Sequence, residues 1–213
     1  MIQIGIDEVG RGPLAGPVTA CAVALGDWRP APPLALKDSK KLSVRRRELL
    51  SELIQVNAIG VGLGWASEAE IDALNILQAT FLAMHRAVTV LLDQLDESHR
   101  PERPSQAVRL LVDGHLNPIT HARDLEWPWP TETCVGGDGL VAEISAASIV
   151  AKVARDARMA DLDLQYPGYG LGAHAGYGTS QHLAALDQLG VSPVHRRSFA
   201  PVARRLSESH HDV

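Results

Sequence analysis

Cysteine is nearly absent from this 213-residue sequence. Cys21 and Cys134 stand far apart and match no metal or redox spacing, which excludes a disulfide framework and a cysteine-based metal module. A reducing compartment fits, and both are read as small core residues. An excess of positive charge is missing too. Lys and Arg total 20 against 25 Asp and Glu, a formal net charge of −5, so the chain is not one that coats nucleic acid by bulk electrostatics. A local basic strip beside an acidic site remains compatible with that balance. No apolar run approaches membrane-spanning length, and Met1-Ile2-Gln3 lacks the charged-then-apolar start of a secretory signal. A cytoplasmic monomer with no membrane partner is expected. Internal repeats and low-complexity segments are lacking as well, and a hydrophobic share of 46% suffices for one full-sized core.

What is there begins at the first residues. Ile2, Ile4 and Ile6 alternate with smaller or polar residues, the pattern of a half-buried strand. That strand delivers adjacent carboxylates, Asp7 and Glu8, to its C-terminal end, and the chain then turns through Gly10-Arg11-Gly12-Pro13. Glycines there permit conformations and close approaches that a Cβ blocks. A strand ending in a solvated acidic turn accounts for the acidic pair alone. It does not account for an arginine set between two permissive residues, which points to a metal site beside a polyanion.

Further along, Val18 to Leu25 reads as a second strand paired with the first, Trp28 to Pro33 as a loop, and Ser43 as the N-cap of a helix to about Ile54. Ala58 to Trp65 reads as a third strand weakened by its glycines. Ser67 and Glu70 make a capping box that opens one long helical segment carrying Leu74, Leu77, Phe81, Met84, Val88, Leu91 and Leu92. Asp96 to Gln106 reads as a surface linker. Strands at 108–112 and 131–135 end near Asp113-Gly114 and Gly136-Gly137-Asp138-Gly139, with an unassigned loop between them. A helix over about 142–161 is rich in small residues. A glycine-rich loop to Thr179, a helix over 180–189 and a basic tail complete the chain. Strands interleaved with helices indicate an α/β fold. The acids sit at or beyond strand C-terminal ends, where open α/β sheets gather ligands.

Hard divalent ions such as Mg²⁺ and Mn²⁺ take oxygen ligands, and two of them about 3.5–4 Å apart serve phosphodiester hydrolysis. Asp7, Glu8, Asp113 and Asp138 supply four carboxylates from different segments. Individually they have ordinary readings: an Asp-Gly turn for Asp113, a helix-start acid for Asp138. Their joint occurrence favours metal. Successive strand residues point to opposite faces, so Asp7 and Glu8 do not share a site from a regular strand, and the glycine turn is expected to supply the twist.

The run Asp7-Glu8-Val9-Gly10-Arg11-Gly12-Pro13-Leu14-Ala15-Gly16-Pro17-Val18 closely resembles the signature of bacterial ribonuclease HII. So do Asp38-Ser39-Lys40-Lys41-Leu42-Ser43, Asn75-Ile76, Val112-Asp113-Gly114, the run from Glu143 to Val153, Gly176-Tyr177 and His195-Arg196-Arg197-Ser198-Phe199. The matches lie in order along almost the whole chain. The resemblance implies a ribonuclease H-like mixed central sheet flanked by helices (residues 1–160), with a helical C-terminal extension (161–213) in the same compact unit. It implies cleavage of the RNA strand of RNA–DNA hybrids and nicking of duplex DNA 5′ of embedded ribonucleotides, with two ions, Mg²⁺ or Mn²⁺. By position, Asp7, Glu8, Asp113 and Asp138 match the family's metal-binding acids, Gly10, Arg11 and Gly12 its junction-sensing loop, and Tyr177 its junction tyrosine.

The family usually has a lysine where Gly136 stands and a basic residue where Ala175 stands. Gly178 replaces a proline, and His115 replaces an asparagine. Lys40, Lys41, Lys152, Arg196 and Arg197 are candidates for backbone phosphates. Ser148 and Lys152 share a helical face at i, i+4 spacing and are expected to point at the site, while Asp156 reads as the partner of a nearby arginine. Two other functions fit the acids: a catalytically weakened hybrid-binding protein, and a metal-dependent phosphatase, which leaves the Gly-Arg-Gly loop and Tyr177 unexplained.

Overall fold

The computed structural model describes residues 1–30, 36, 42–95 and 108–208; Lys40, Lys41 and the expected linker 96–106 lie outside them. Strands β1 (Ile2–Val9), β2 (Val18–Ala24), β3 (Gly60–Ala66), β4 (Val108–Asp113) and β5 (Thr131–Cys134) form one sheet in the order β3-β2-β1-β4-β5. β1, β2 and β3 run antiparallel in sequence, whereas β4 and β5 lie parallel to β1. The helices described are α1 (Val44–Asn57), α2 (Glu68–Leu74), α3 (Ile76–Gln94), α4 (Pro118–His121), α5 (Gly137–Leu140), α6 (Ala142–Gln165), α7 (Leu171–His174), α8 (Ser180–Leu189) and α9 (Ala200–Glu208).

Two helical layers cover the sheet. On one face α3 packs Phe81, Met84, Val88 and Leu91 against Ile4, Ile6, Ala20, Ala22 and Leu110. Each such fully buried side chain contributes about 1.5–3 kcal/mol. By length and composition α3 is apolar enough to cross a bilayer, which departs from the expectation drawn from the sequence. The cause is this packing, since its buried stripe faces the sheet. On the opposite face α6 and α1 bury Ala146, Ala147, Val150, Leu50 and Ile54 against Cys21 and Val23. The middle of β1 is therefore covered on both sides. Glycine sits at position 5 because a Cβ there would come within 2.2 Å of the Glu143 backbone on α6.

The helical segment expected to run unbroken past Ser67 is two helices. The Ser67–Glu70 capping box forms as read. Asn75, at φ 70°, then stops α2, and its side chain accepts from the amides of Leu77 and Gln78 to start α3. Ser43 occupies the N-cap position of α1 without a side-chain bond. Helix α6 continues to Gln165, so the boundary expected near residue 160 falls inside it. Its far end joins Leu14, Ala15, Tyr169, Leu171, Leu186, Val194 and Val202 in a further apolar cluster, roofed by α7, α8 and α9. Two of these helices depart from the sequence expectation: α7 is a single turn inside the expected glycine-rich loop, and α9 lies in the expected basic tail, where Arg196-Arg197 and a proline at its second position mask an otherwise amphipathic segment.

Candidate active site

The four acids approach one edge of the sheet by different routes. Ile6 pairs with Val112 in the parallel β1–β4 ladder, so the next residues along, Asp7 and Asp113, stand side by side at the strand ends. The alternation of β1 is kept, against the expected twist. Asp7 faces α6, where Ser148 donates a hydrogen bond to its carboxylate. Glu8 faces the α3 side, in a cavity of about 210 Å³ that it shares with Arg11, Asp113, His115, Phe81 and Met84. Asp113 acts electrostatically on both, so the acids straddle the edge of the sheet instead of sharing a face.

Asp138 arrives from β5. Gly136, in the left-handed region at φ 69°, turns the chain into α5. The Asp138 amide then donates to Asp113 Oδ1 at 3.4 Å, and Ser145 Oγ donates to the Asp138 carbonyl. The site is thus assembled from β1, β4, α5 and the first turns of α6.

Asp7 is 7% exposed, and its pKa lies well above the usual carboxylate value. Burial is the main cause, with the charges of Glu8 and Asp113 adding to it, against the hydrogen bonds from Ser148 and the Glu8 amide. Glu8 is raised too, chiefly by burial, and Arg11 opposes that shift with Nη1 3.4 Å from Glu8 Oε1. A buried carboxylate crowded by like charges calls for a cation, and hard carboxylate oxygens suit Mg²⁺ or Mn²⁺. Among the described residues no three His, Cys, Asp or Glu side chains already stand at ion-binding separations. The donor set fits a divalent ion by chemistry, with mutually repelling acids still spread apart.

The glycine loop and the tyrosine meet beside these acids. Gly10 has φ 94°, and a Cβ on it would fall 2.1 Å from Arg155 Nε. Gly12 is covered by the Tyr177 ring, with Cε1 3.3 Å from the position a Cβ would take. Tyr177 is 47% exposed, which is no core tyrosine. Its carbonyl is 3.0 Å from His182 Nδ1. His182 Nε2 lies 3.0 Å from His195 Nε2, whose other ring nitrogen accepts from the Ser192 amide. The pKa of His195 is pushed down to about 4, first by burial and then by His182.

The basic candidates divide. Arg197 is exposed, its amide donating to Asp72. Lys152 lies one turn beyond Ser148 but is bonded to Asp156, which also pairs with Arg47 at 3.4 Å. Arg196, expected to hold a phosphate, is fully buried. Its guanidinium is directed at the carbonyls of Gly10, Arg11 and Gly16, so it does not reach a duplex. Arg155, which no sequence motif marks, is its counterpart: it is fully buried and donates to the carbonyls of Pro17, Ala15 and Ala175. The available signal was its position on α6, seven residues past Ser148 on a face otherwise made of buried residues.

Comparisons with known proteins address the family and the fold. The sequence model of the family described as Ribonuclease HII matches residues 4–202. A ribonuclease HII from Halorhodospira halophila is 51% identical over 203 residues, covering 95% of this chain and 94% of that protein. The crystal structure of ribonuclease H2 from Pyrococcus horikoshii OT3 superposes with a TM-score of 0.71 at 23% identity, covering 99% of both chains. Bst-RNase HIII in complex with Mn²⁺ gives a TM-score of 0.70 at 17% identity, over 99% of this chain and 71% of that one.

Proposed function

The chain belongs to the ribonuclease HII family, a metal-dependent endoribonuclease of RNA–DNA hybrids, and from that premise we propose where and how it cuts. Besides the RNA strand of hybrids, its substrate is duplex DNA holding single ribonucleotides, nicked on their 5′ side. The reaction is hydrolysis. Water supplies the attacking oxygen, the bond from phosphorus to the 3′ oxygen of the preceding nucleotide breaks, and a 3′-OH and a 5′-phosphate result. The 2′-OH is recognised and does not attack.

Asp7, Glu8, Asp113 and Asp138 would hold two divalent ions, Mg²⁺ or Mn²⁺. When bound, such ions supply Lewis-acid charge that activates water and stabilises the leaving oxygen. Ser148 keeps the Asp7 carboxylate oriented, and the Asp138 amide does the same for Asp113. Telling RNA from DNA requires sensing a 2′-OH. Gly10, Arg11 and Gly12 bring backbone close to the sugar, and Tyr177 offers a ring against which an extra hydroxyl is felt. Among the described residues Arg197 and Lys152 are left as phosphate contacts, Lys152 by exchanging Asp156 for a phosphate.

One observation carries this reading: the Tyr177 ring packs on Gly12, immediately after the strand that bears Asp7 and Glu8. An aromatic surface and an open backbone loop are held together at an acid cluster, an arrangement that a small-ester phosphatase does not need. The test is a labelled DNA duplex with one ribonucleotide, incubated with Mg²⁺ or Mn²⁺ beside an all-DNA control. A nick 5′ of the ribonucleotide alone is expected. Binding in Ca²⁺ with no nick in either metal would leave a hybrid-binding protein instead.

A further inference from the structure

Arg196 is a cation in the interior with no ion pair among the described residues. Burial lowers its pKa to about 9, which still leaves it charged at neutral pH. Its fork is divided among three main-chain oxygens: Nε to Gly16 at 2.9 Å, Nη1 to Arg11 at 3.0 Å and Nη2 to Gly10 at 2.6 Å. The surrounding main chain is stitched to the same turn. Arg196 N donates to Leu14 O, Gly16 N to Val194 O, and Leu14 N to Gly176 O. Because the Gly176 carbonyl precedes Tyr177, one set of bonds fixes both the loop and the tyrosine.

Peptide planarity gives this grip a consequence. In a trans peptide the C=O of one residue and the N–H of the next point in opposite directions. Drawing the Gly10 and Arg11 carbonyls toward a buried guanidinium therefore turns the N–H groups of Arg11 and Gly12 away from it. Both residues are exposed, and neither N–H finds a partner among the described residues. The ring of Tyr177 lies against Gly12.

We propose that Arg196 is a positioning residue for ribonucleotide recognition: it holds the Gly10 and Arg11 carbonyls inward so that the Arg11 and Gly12 amides stand outward as a fixed donor pair for the 2′-hydroxyl and the adjoining phosphate. This rests on the reading above, in which the loop and Tyr177 meet the ribonucleotide. The charge also polarises the two peptides, strengthening their N–H groups as donors. Lysine does not replace it, since an ammonium is a compact point charge and not a planar fork that spans three carbonyls. A continuous RNA strand presents a 2′-hydroxyl at every step and tolerates a loosened donor pair. A lone ribonucleotide demands one register.

The experiment compares kcat/KM for a single-ribonucleotide DNA duplex and for a continuous RNA–DNA hybrid, in Mg²⁺, with wild type, Arg196→Lys and Arg196→Gln. The ratio of single-ribonucleotide to hybrid cleavage is expected to fall about tenfold or more in both variants, as displaced positioning groups commonly cause. Damage to the acids or loss of folded protein lowers both substrates together and leaves the ratio unchanged, and that outcome overturns the role. If wild type does not nick the single-ribonucleotide duplex, the functional reading fails and this inference with it. Should the variants not fold, amide exchange on the wild-type protein in Ca²⁺ decides. Arg11 and Gly12 should be slowed by the ribonucleotide duplex and not by the all-DNA one, and equal exchange with both would refute the donor pair.

Discussion

At the level of single side chains, Asp7 stands against its own electrostatics when no cation is near. Burial and the charges of Glu8 and Asp113 all raise its pKa, and only the bonds from Ser148 and the Glu8 amide act the other way. For a carboxyl whose folded-state pKa exceeds its unfolded value, the stability it contributes is present below the unfolded value and is lost as pH rises through the folded one. At pH 7.5, far above the unfolded value, this carboxyl therefore destabilises the metal-free protein. Asp7→Asn keeps the shape and removes the charge. It is expected to raise the stability of the metal-free form by about 1 kcal/mol, a usual size for relieving a strained functional site, or roughly 2–4 °C for a chain of this length. It should abolish cleavage in Mg²⁺ at the same time. Thermal unfolding in EDTA beside the nicking assay checks both halves, and retained cleavage would remove Asp7 from the site. The acids were legible in the sequence because each ends a strand or follows a glycine turn, positions that spacing reveals. Arg196 was not, because its partners are main-chain carbonyls, which every residue carries and no spacing marks.

Among the elements, β3 shows how a local rule inverts under packing. Its glycines weaken a strand taken alone, which is how the sequence reads. In the fold, a Cβ at Gly62 or Gly64 would lie 2.0 Å from the carbonyl of Ala87 or Ala83 on α3, so the glycines set how closely α3 approaches the sheet. Gly64→Val forces those layers apart and is expected to destabilise by about 3 kcal/mol, as overpacking at rigid backbone does; a denaturant midpoint equal to that of wild type would contradict it. The α/β order, β1, β2 and the capping box were legible because each is decided by residues within a few positions. The break at Asn75 and helix α9 were not. A positive φ at asparagine and an amphipathic face under a basic motif are settled by what packs on them. The C-terminal segment supplies a pH test of the same kind. His195 faces Ser192, His182 and Tyr169, and His182 faces His174, the Tyr177 carbonyl and the charge of Arg205. A histidine with its folded pKa lowered to about 4 is neutral in the native state while the unfolded chain takes up a proton below about 6.5. Its contribution is therefore full above pH 6.5 and is lost as pH falls toward 4, on the order of 2 kcal/mol. Wild type should lose more stability than His195→Gln between pH 7.5 and pH 5, and parallel losses would show that the histidine does not titrate in this way.

For the whole molecule, the question is how a chain with net charge −5 and pI near 6.0 holds a polyanion. Several cations near the site are already engaged: Arg11 with Glu8, Lys152 with Asp156, and Arg196 and Arg155 with carbonyls in the interior. The two places where the resemblance leads one to expect basic residues, Gly136 and Ala175, are both left-handed, at φ 69° and 49°. That backbone can be kept without a long side chain, but the charge cannot. A shallow salt dependence follows, because each phosphate neutralised adds about 0.9 to the slope of log K against log salt. Gly136→Lys tests this directly. Nothing lies within 4 Å of the Cβ position, so the side chain fits, while the left-handed backbone costs about 1–2 kcal/mol of stability. Hybrid binding in Ca²⁺ across roughly 50 to 200 mM salt should steepen by about one unit of slope and tighten most at the low-salt end. An unchanged slope would mean that the turn entering α5 faces away from the duplex. Asp138 would then be a helix-start acid after all, since the same turn carries both residues.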